Sequence, residues 1–357
     1  YVAVKDDCWR LDGDTGTRTV THKLNDAGHD WGCVFRYGDK LYGSATMARA
    51  SYTQYWELDT PAEGDFFYDS YPGRPPSLTT VVFKVCSEYI FANDAAGNRV
   101  WTYEDGVIIN TTICMGGGRV YFVESRNKSL KGQPCGEPEA VREDWTYENG
   151  LWSDTELYLV ALDADSGTKL WDKNIKTGPG GDPVVVDAQV VINLLFAEAG
   201  GDEFLVLECS KDGAYYIYTY EVGDSTCNFR WTKNHDWAYN FKVLMKRPVI
   251  VGDIVYLYPN AYDLSNGNIK RSDVPQSACG LMSAIGNTLC GRFNSDPSGD
   301  IEMWDIGSNT FSNWAPIRQS CWINVVTGGD MVLVPEGGGA CSCQMYFQTS
   351  VGFVPAN

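Results

Sequence analysis

The sequence predicts an all-β protein built from repeated antiparallel units, and three observations lead to that prediction. Aromatic residues are abundant, with 12 Trp, 21 Tyr and 14 Phe in 357 residues, and aromatic side chains favour strands. A short turn pattern flanked by strand-like runs recurs along the chain. Almost no segment between the repeats has the spacing of apolar residues that an amphipathic helix requires.

The recurring pattern is a strand-like run, an Asp, two or three residues, a Gly and a second strand-like run that often carries Trp. The clearest copy runs from Leu157 through Asp163 and Gly167 to Trp171. The corresponding aspartates of other copies stand at positions 12, 59, 94, 263 and 305, and a weaker copy lies near position 221. Asp accepts backbone hydrogen bonds where a tight turn starts, and Gly adopts the positive φ that closes it. Each copy therefore predicts a β-hairpin.

The spacing of these turns predicts the number of units. A Gly followed by a branched or aromatic run precedes several hairpins, as at 118–123 and 252–257, and brings each unit to roughly four strands. The turns and a last strand-like run at 345–354 give eight units of about 45 residues, the size of propeller blades. We therefore expect residues 1–357 to form a single domain, an eight-bladed β-propeller of four-stranded antiparallel blades. The last run is expected to close the ring by pairing with the N-terminal strands, and the stretch at about 125–151 is expected to be an insertion.

The charge balance excludes some classes of partner. Acidic residues outnumber basic ones by 46 to 28, which gives a net charge of −18. That sign repels nucleic acids and anionic lipid surfaces. No apolar run approaches the roughly 18 residues of a membrane-spanning helix. The sequence therefore predicts no nucleic-acid partner and no membrane span.

Twelve cysteines are spread along the chain, and none forms a C-x-x-C pair. Without metal-binding spacing, they favour disulfides and an oxidising compartment, so we expect a secreted, cell-surface or periplasmic protein. The first residue is Tyr1, as in a processed secreted protein or an excised segment. We expect most cysteines to be paired, with Cys279, Cys321, Cys341 and Cys343 linking the last blades. Scattered buried thiols are the alternative, and the sequence does not give the connectivity.

Residues 161–171, Ala-Leu-Asp-Ala-Asp-Ser-Gly-Thr-Lys-Leu-Trp, closely resemble the repeat of the pyrroloquinoline-quinone-like β-propellers. The segments 247–256, 319–324 and 334–343 resemble secreted bacterial members of that class, notably planctomycete-like ones. The resemblance implies an eight-bladed propeller but little about chemistry, because one fold hosts many functions. The founding enzymes of the family oxidise alcohols or sugars with a quinone held by a ring of adjacent cysteines, a tryptophan and calcium. No two cysteines are adjacent here, since Ser342 separates Cys341 from Cys343, so we expect the quinone site to be missing.

Two pairs of aspartates are weak candidates for a calcium site. Asp12 and Asp14, and likewise Asp163 and Asp165, place carboxylates two residues apart, as calcium loops do. Neither stretch supplies the distal Glu of a full calcium loop. A tight hairpin turn would select the same residues, and we favour that interpretation.

The histidines are the remaining chemical candidates. His29 with Asp30, and His235 with Asp236, share a His-Asp-Trp context that is expected at the mouth of the central channel. A His oriented by Asp can act as a base, but no partnered nucleophile accompanies either pair. We therefore favour a structural role in the loops between blades, and we expect Trp101, Trp171 and Trp231 to pack between blades.

These observations favour a secreted, non-catalytic propeller that binds other protein surfaces or copies of itself and requires no cofactor, calcium being the one ligand considered. The alternative is a quinone-dependent alcohol or sugar dehydrogenase, or a diverged relative of such an enzyme.

Overall fold

The computed structural model describes residues 1–47, 86–127, 131, 156–176, 186, 190–211, 214–236, 247–275, 281–291, 293, 301–313, 325–328, 331–334 and 351–353. These residues form antiparallel β-strands, with one 3-10 turn at Asn110–Thr112. The all-β prediction is confirmed. No helix in this part of the chain is long and apolar enough to cross a bilayer.

The described strands belong to seven sheets. The first sheet contains β1 (Val2–Val4), β2 (Asp7–Leu11) and β3 (Arg18–Lys23), and the second contains β4 (His29–Tyr37), β5 (Lys40–Met47), β7 (Tyr89–Asn93) and β8 (Arg99–Tyr103). The third contains β6 (Cys86–Ser87), β9 (Val107–Ile109), β10 (Cys114–Gly116), β11 (Arg119–Ser125), β12 (Leu157–Asp163) and β13 (Lys169–Asn174). The fourth contains β14 (Val190–Ala199), β15 (Asp202–Lys211), β16 (Ala214–Val222) and β17 (Cys227–Asp236).

The remaining sheets follow in the same order. The fifth contains β18 (Val249–Val251), β19 (Ile254–Leu257), β20 (Asn260–Asp263) and β21 (Ile269–Arg271), and the sixth contains β22 (Ser283–Ile285), β23 (Thr288–Gly291), β24 (Glu302–Asp305) and β25 (Thr310–Asn313). The seventh contains β26 (Val326–Gly328), β27 (Met331–Val334) and β28 (Val351–Phe353). The second, fourth, fifth and sixth sheets each have four strands, which confirms the predicted four-stranded antiparallel unit.

The Asp-to-Gly segments form the predicted hairpin turns. Asp163 Oδ1 accepts hydrogen bonds from the N–H and the hydroxyl of Ser166, at 2.8 and 2.7 Å. The Gly167 N–H donates to the Asp163 carbonyl at 2.9 Å, and the φ of Gly167 is +70°. The same backbone bond closes the turns at 12–16, 94–97 and 263–267. In the turn that begins at Asp305, Asn309 takes a φ of +56° in place of Gly.

In three sheets, a tryptophan of the last strand donates a hydrogen bond to a backbone carbonyl in a turn of the next sheet. The Trp101 indole N–H donates to the carbonyl of Ala164 at 2.9 Å, and Trp231 donates to that of Leu264 at 2.8 Å. Trp171 donates in the same way to the carbonyl of Gly223 at 2.8 Å. These bonds confirm that the three tryptophans pack between successive sheets.

At two other junctions between sheets, a histidine or an arginine contacts the turn of the next sheet in place of a tryptophan. His22 of β3 lies against Gly97, where an added Cβ would lie 2.9 Å from Nδ1 of the imidazole. The Arg271 guanidinium of β21 donates to the carbonyl of Ile306 at 3.0 Å. The first six sheets are therefore neighbours in chain order. A buried cluster joins the sixth sheet to the seventh through Cys290, Ile301, Val325 and Val334.

The predicted count of eight blades is not confirmed, because the described residues supply seven sheets. The turn assigned to Asp59 lies outside the described residues. On either side of residues 48–88, β5 and β7 pair directly in the second sheet, with Ala45 opposite Tyr89, while the short strand β6 before β7 pairs with β9 of the third sheet. The last run contributes Val351–Phe353, which pairs with β27 of its own sheet.

The apolar core is divided among the junctions between sheets. The largest cluster lies between the third and fourth sheets and includes Tyr121, Leu159, Leu205 and Tyr220. Each fully buried side chain of this size contributes roughly 1.5–3 kcal/mol relative to an exposed one. Stability therefore depends on the contact of each sheet with its neighbours, as a hairpin sheet by itself is marginal.

Candidate functional site

The two ends of each sheet differ in their connections. In an antiparallel sheet with strands in sequence order, the first and third turns share one end, and the second connection lies at the other. We call these the turn end, which carries the Asp-to-Gly turns, and the connection end. In the second, third, sixth and seventh sheets, the second strand ends and the third strand begins at the connection end. In sequence, residues 48–85, 126–156, 292–301 and 335–350 lie between these strands.

His29 lies at the connection end, at the first residue of β4, between two carboxylates. Its Nδ1 is 2.9 Å from Asp26 Oδ2, and its Nε2 is 2.8 Å from Glu88 Oε2. The Tyr89 hydroxyl donates to the same Asp26 oxygen at 2.9 Å, and the Tyr89 ring packs edge-on against the imidazole. Four polar side chains from two chain segments, 26–29 and 88–89, therefore meet at this point.

The two neighbouring acidic side chains shift the pKa of His29. Burial by itself lowers the pKa of His29, but the hydrogen bonds and charges of Glu88 and Asp26 outweigh it and raise the pKa above the usual histidine value. Burial raises the pKa of Asp26, but bonds from His29 and Tyr89 produce a net lowering. Compared with a free histidine, the neighbouring acidic groups therefore favour the protonated form of the imidazole.

Local sequence fixes Asp26 and His29 in place. Asn25 takes a φ of +57°, and the His29 N–H donates to the Asp26 carbonyl at 3.1 Å. The Gly28 N–H donates to Asp26 Oδ1 at 3.2 Å, so the Asp26 side chain also closes the turn. The N–H of Trp31 then donates to the carbonyl of Lys5 at 2.8 Å, which attaches the start of β4 to the first sheet.

A second polar group lies nearby, at the junction of the second and third sheets. The Oγ atoms of Ser44 and Ser87 are 2.8 Å apart, and they lie 3.0 and 2.7 Å from Asn110 Oδ1. Cys33 Sγ is 3.2 Å from Ser44 Oγ, and burial raises the pKa of the thiol to about 11. A Cβ on Gly32 would lie 2.4 Å from Ser87 Oγ. Because these side chains are tightly packed, we assign this network a structural role.

His235 and Asp236, the other predicted pair, lie at the end of β17 in a different sheet. His235 is buried, and its Nε2 is 3.0 Å from the Tyr262 hydroxyl of the fifth sheet. The Asn260 amide donates to the same hydroxyl at 3.1 Å. The side chain of Asp236 lies outside the described residues. Asp30 is buried in β4, and the carboxylates beside His29 are Asp26 and Glu88 instead.

The aspartates considered for calcium lie in the hairpin turns. Asp12 Oδ1 accepts the N–H groups of Asp14 and Thr15 at 3.1 and 2.9 Å. Asp165 pairs with Lys40 of the neighbouring sheet at 2.6 Å. In the described part of the chain, no three His, Cys, Asp or Glu side chains are grouped to hold a metal ion. Calcium binding stays an untested sequence hypothesis.

The cysteines named as disulfide candidates, Cys279, Cys321, Cys341 and Cys343, lie outside the described residues. Four other cysteines carry free thiols: Cys8, Cys33, Cys114 and Cys290. Burial raises the pKa of each of these thiols. The expectation that most cysteines are paired is therefore not shown, and these four match the alternative of buried thiols.

Sequence reasoning missed Asp26, Glu88 and Tyr89. Asp26 lies three residues before His29, a spacing that allows a turn carboxylate to reach the ring. Glu88 has no such signal, because it is 59 positions away from His29 in the sequence. Only the pairing of β4, β5 and β7 brings Glu88 and His29 together.

No protein-family model matches the chain, and no curated protein matches it. Among solved structures, it is similar to the rhamnogalacturonan lyase YesW, with 11% identity over 87% of this chain and 53% of that one, at a TM-score of 0.43. It is similar to a europium-containing methanol dehydrogenase, with 11% identity over 93% of this chain and 70% of that one, at a TM-score of 0.44. It is also similar to a prolyl endopeptidase, with 10% identity over 92% of this chain and 42% of that one, at a TM-score of 0.47. The chain spans about half the length of the lyase, and likeness at this level carries no argument about activity.

Proposed function

We propose that this chain is a secreted β-propeller of the pyrroloquinoline-quinone-like repeat class without catalytic activity, and that it assembles with other proteins, including copies of itself. One observation carries the proposal: His29 and His235 contact neighbouring strands at the connection end, and the strand ends with the longest stretches of sequence between them lie at the same end. The repeated junction between successive sheets supports a closed ring. Eight blades stay a sequence prediction, since an eighth would need strands from outside the described residues.

The histidine contacts support the absence of catalysis. A general base needs a ring nitrogen within hydrogen-bond reach of the proton it removes from a substrate. Both nitrogens of His29 face carboxylates, and Nε2 of His235 faces a tyrosine hydroxyl in the next sheet. These rings are engaged in contacts that hold the fold together.

The long connections support a binding role. Binding residues are concentrated on loops that a rigid scaffold positions. The Asp-to-Gly turns at the opposite end are short and internally bonded, and they offer little chain for a partner to contact. We therefore assign the interaction surface to the connection end.

The quinone-dependent dehydrogenase is the second candidate, and the repeat resemblance is the reason to keep it. A flat, anionic quinone requires a stacking platform, cationic partners and a hard metal. The chain has 28 basic residues against 46 acidic ones and no adjacent cysteines. These features favour a non-catalytic protein.

Sedimentation velocity of the full chain tests the assembly proposal. We expect oligomers that grow with concentration and disappear when residues 132–150 are replaced by a short Gly-Ser linker. The matched control is Asp165→Ser at the turn end, which should assemble normally, and circular dichroism checks that both variants are folded. A chain that stays monomeric at all concentrations rules out self-assembly. Chelator-sensitive reduction of an artificial acceptor, with added quinone, calcium and an alcohol or sugar, overturns the proposal in favour of the enzyme.

A further inference from the structure

Each sheet between the first and the seventh packs on neighbouring sheets with both of its faces. In β15 of the fourth sheet, Leu205 belongs to the buried cluster shared with the third sheet, whereas Phe204 belongs to the cluster shared with the fifth. Successive residues of a strand point to opposite faces of the sheet. One face therefore lies toward the preceding sheet, and the other lies toward the following sheet.

The first sheet packs on the second sheet with one face and leaves the other face exposed. Cys8 of β2 belongs to the same buried cluster as Trp31 of the second sheet. Trp9 and Leu11 stand at odd distances from Cys8 on the same strand, so they point to the opposite face, and Val2 of β1 lies directly opposite Trp9. Val2 is 43% and Leu11 is 36% exposed. We call Val2, Trp9 and Leu11 the head face.

The seventh sheet is divided in the same way. Val334 of β27 belongs to the cluster shared with the sixth sheet, and Val332 packs against that cluster. Leu333 stands between them and therefore points to the other face, where Val326 of β26 is its cross-strand partner. Leu333 is 37% and Val326 is 47% exposed. We call Leu333 and Val326 the tail face.

Neither the head face nor the tail face is covered by another sheet of the described chain. At the inner junctions, apolar side chains such as Phe204 and Leu205 are no more than 1% exposed. The four exposed side chains of the head and tail faces keep more than a third of their surface. A sheet packed on either face would bury these side chains, as the inner junctions do. Both faces are therefore open to a partner.

Building on the self-assembly proposed above, on which this contact depends, we propose that the tail face of one copy packs on the head face of another copy. Each inner junction joins the face that one sheet turns to the following sheet with the face that the next sheet turns to the preceding one. The tail face is of the first kind, and the head face is of the second. A ring closed within one chain would use the same two faces. Each copy therefore supplies to the next copy the junction that closure would form within one chain.

The contact is heterologous, because it joins two different faces, and each added copy leaves one free face at either end of the assembly. The assembly grows with concentration unless the rotation between copies closes it into a ring. Each face presents two or three apolar side chains, whereas a stable interface has roughly 20–30 residues on each side. The contact is therefore weak by itself, and we expect it to act together with the connection end.

Sedimentation velocity of the full chain tests the proposal with Leu11→Lys in the head face and Leu333→Lys in the tail face. Both replaced side chains are exposed in the single chain, so both variants should fold. Each lysine would be buried without a partner in the contact, and we expect the concentration of half-assembly to rise at least about tenfold. Mixed in equal amounts, the two variants should form dimers and nothing larger, because the intact tail face of the first binds the intact head face of the second. Ile269→Lys is the matched control at a 56% exposed side chain of β21 and should assemble as the wild type does.

The proposal is overturned if Leu11→Lys or Leu333→Lys assembles as the wild type does, or if their equal mixture gives no dimers. It is also overturned if Leu11→Lys lowers the unfolding free energy of the monomer in urea more than Ile269→Lys does, because the two faces then meet within one chain. Loss of assembly only on replacement of residues 132–150 rejects this contact and leaves the connection end as the interaction surface. Loss of assembly only in the two face variants supports this contact and rejects the connection end. A wild-type chain that stays monomeric rules out both.

Discussion

The tryptophans that join successive sheets allow a matched test, because two of them donate to carbonyls in different surroundings. The carbonyl of Ala164 accepts the Trp101 indole at 2.9 Å and also the Tyr42 hydroxyl at 3.0 Å. The carbonyl of Leu264 accepts the Trp231 indole at 2.8 Å, and within the described residues it has no second side-chain donor. Replacing each Trp by Phe removes the same atoms but leaves the two carbonyls in different states.

The two variants should differ in their free energy of unfolding, because only one of the two carbonyls keeps a side-chain donor. Trp101→Phe loses a net hydrogen bond of about 0.5–1.5 kcal/mol, and Ala164 keeps a donor. Trp231→Phe leaves a buried carbonyl without a side-chain donor, which costs about 1–3 kcal/mol. The change from indole to phenyl removes the same apolar surface at both sites and cancels in the comparison. Trp231→Phe should therefore destabilise the protein by about 1 kcal/mol more than Trp101→Phe.

Urea unfolding followed by circular dichroism measures both values, with equal m-values as the condition for comparing midpoints. Because the two junctions lie between different pairs of sheets, their effects should add in the double variant. The reasoning is refuted if the two single variants differ by less than about 0.5 kcal/mol or if Trp101→Phe is the more damaging change.

Three further predictions concern turns and thiols. Gly267→Ala should destabilise the protein by about 1–3 kcal/mol more than Gly252→Ala, because both have positive φ but only the Cβ at 267 would lie 2.7 Å from an indole; equal unfolding free energies would contradict this. A hydrogen bond from the Ser265 hydroxyl lowers the pKa of Asp263 to about 2. The contribution of Asp263 to stability is therefore present above its unfolded pKa and is lost as the pH falls to about 2. Asp263→Asn should reduce the dependence of the unfolding free energy on pH in that range. Burial raises the pKa of Cys33 and Cys290 to about 11, so alkylation of the native protein near neutral pH should be roughly a hundredfold slower than in denaturant, as measured by mass spectrometry.

The sequence by itself determined the hairpins and the side chains that join them. The turn from Asp163 to Gly167 is recognisable because its hydrogen bonds run between residues a few positions apart. Trp101 and Trp231 each lie in the strand that follows a turn, and their bulk has no place in an isolated hairpin, so packing on a neighbouring sheet could be predicted. Their hydrogen bonds to the next turn are the structural confirmation.

Only the tertiary structure decided the features that depend on where distant segments meet. His22 and Arg271 occupy junctions where the repeat would place Trp, and no local pattern marks a histidine or an arginine for that role. The Asp59 pattern predicts a blade of its own, but β5 before it pairs directly with β7 after it in the second sheet. Glu88 reaches His29 only because β4, β5 and β7 pair in one sheet, and its hydrogen bond and charge help to raise the pKa of the imidazole. Turn chemistry is local and can be read from a few adjacent residues, whereas the partners of a buried charge are fixed by the path of the whole chain.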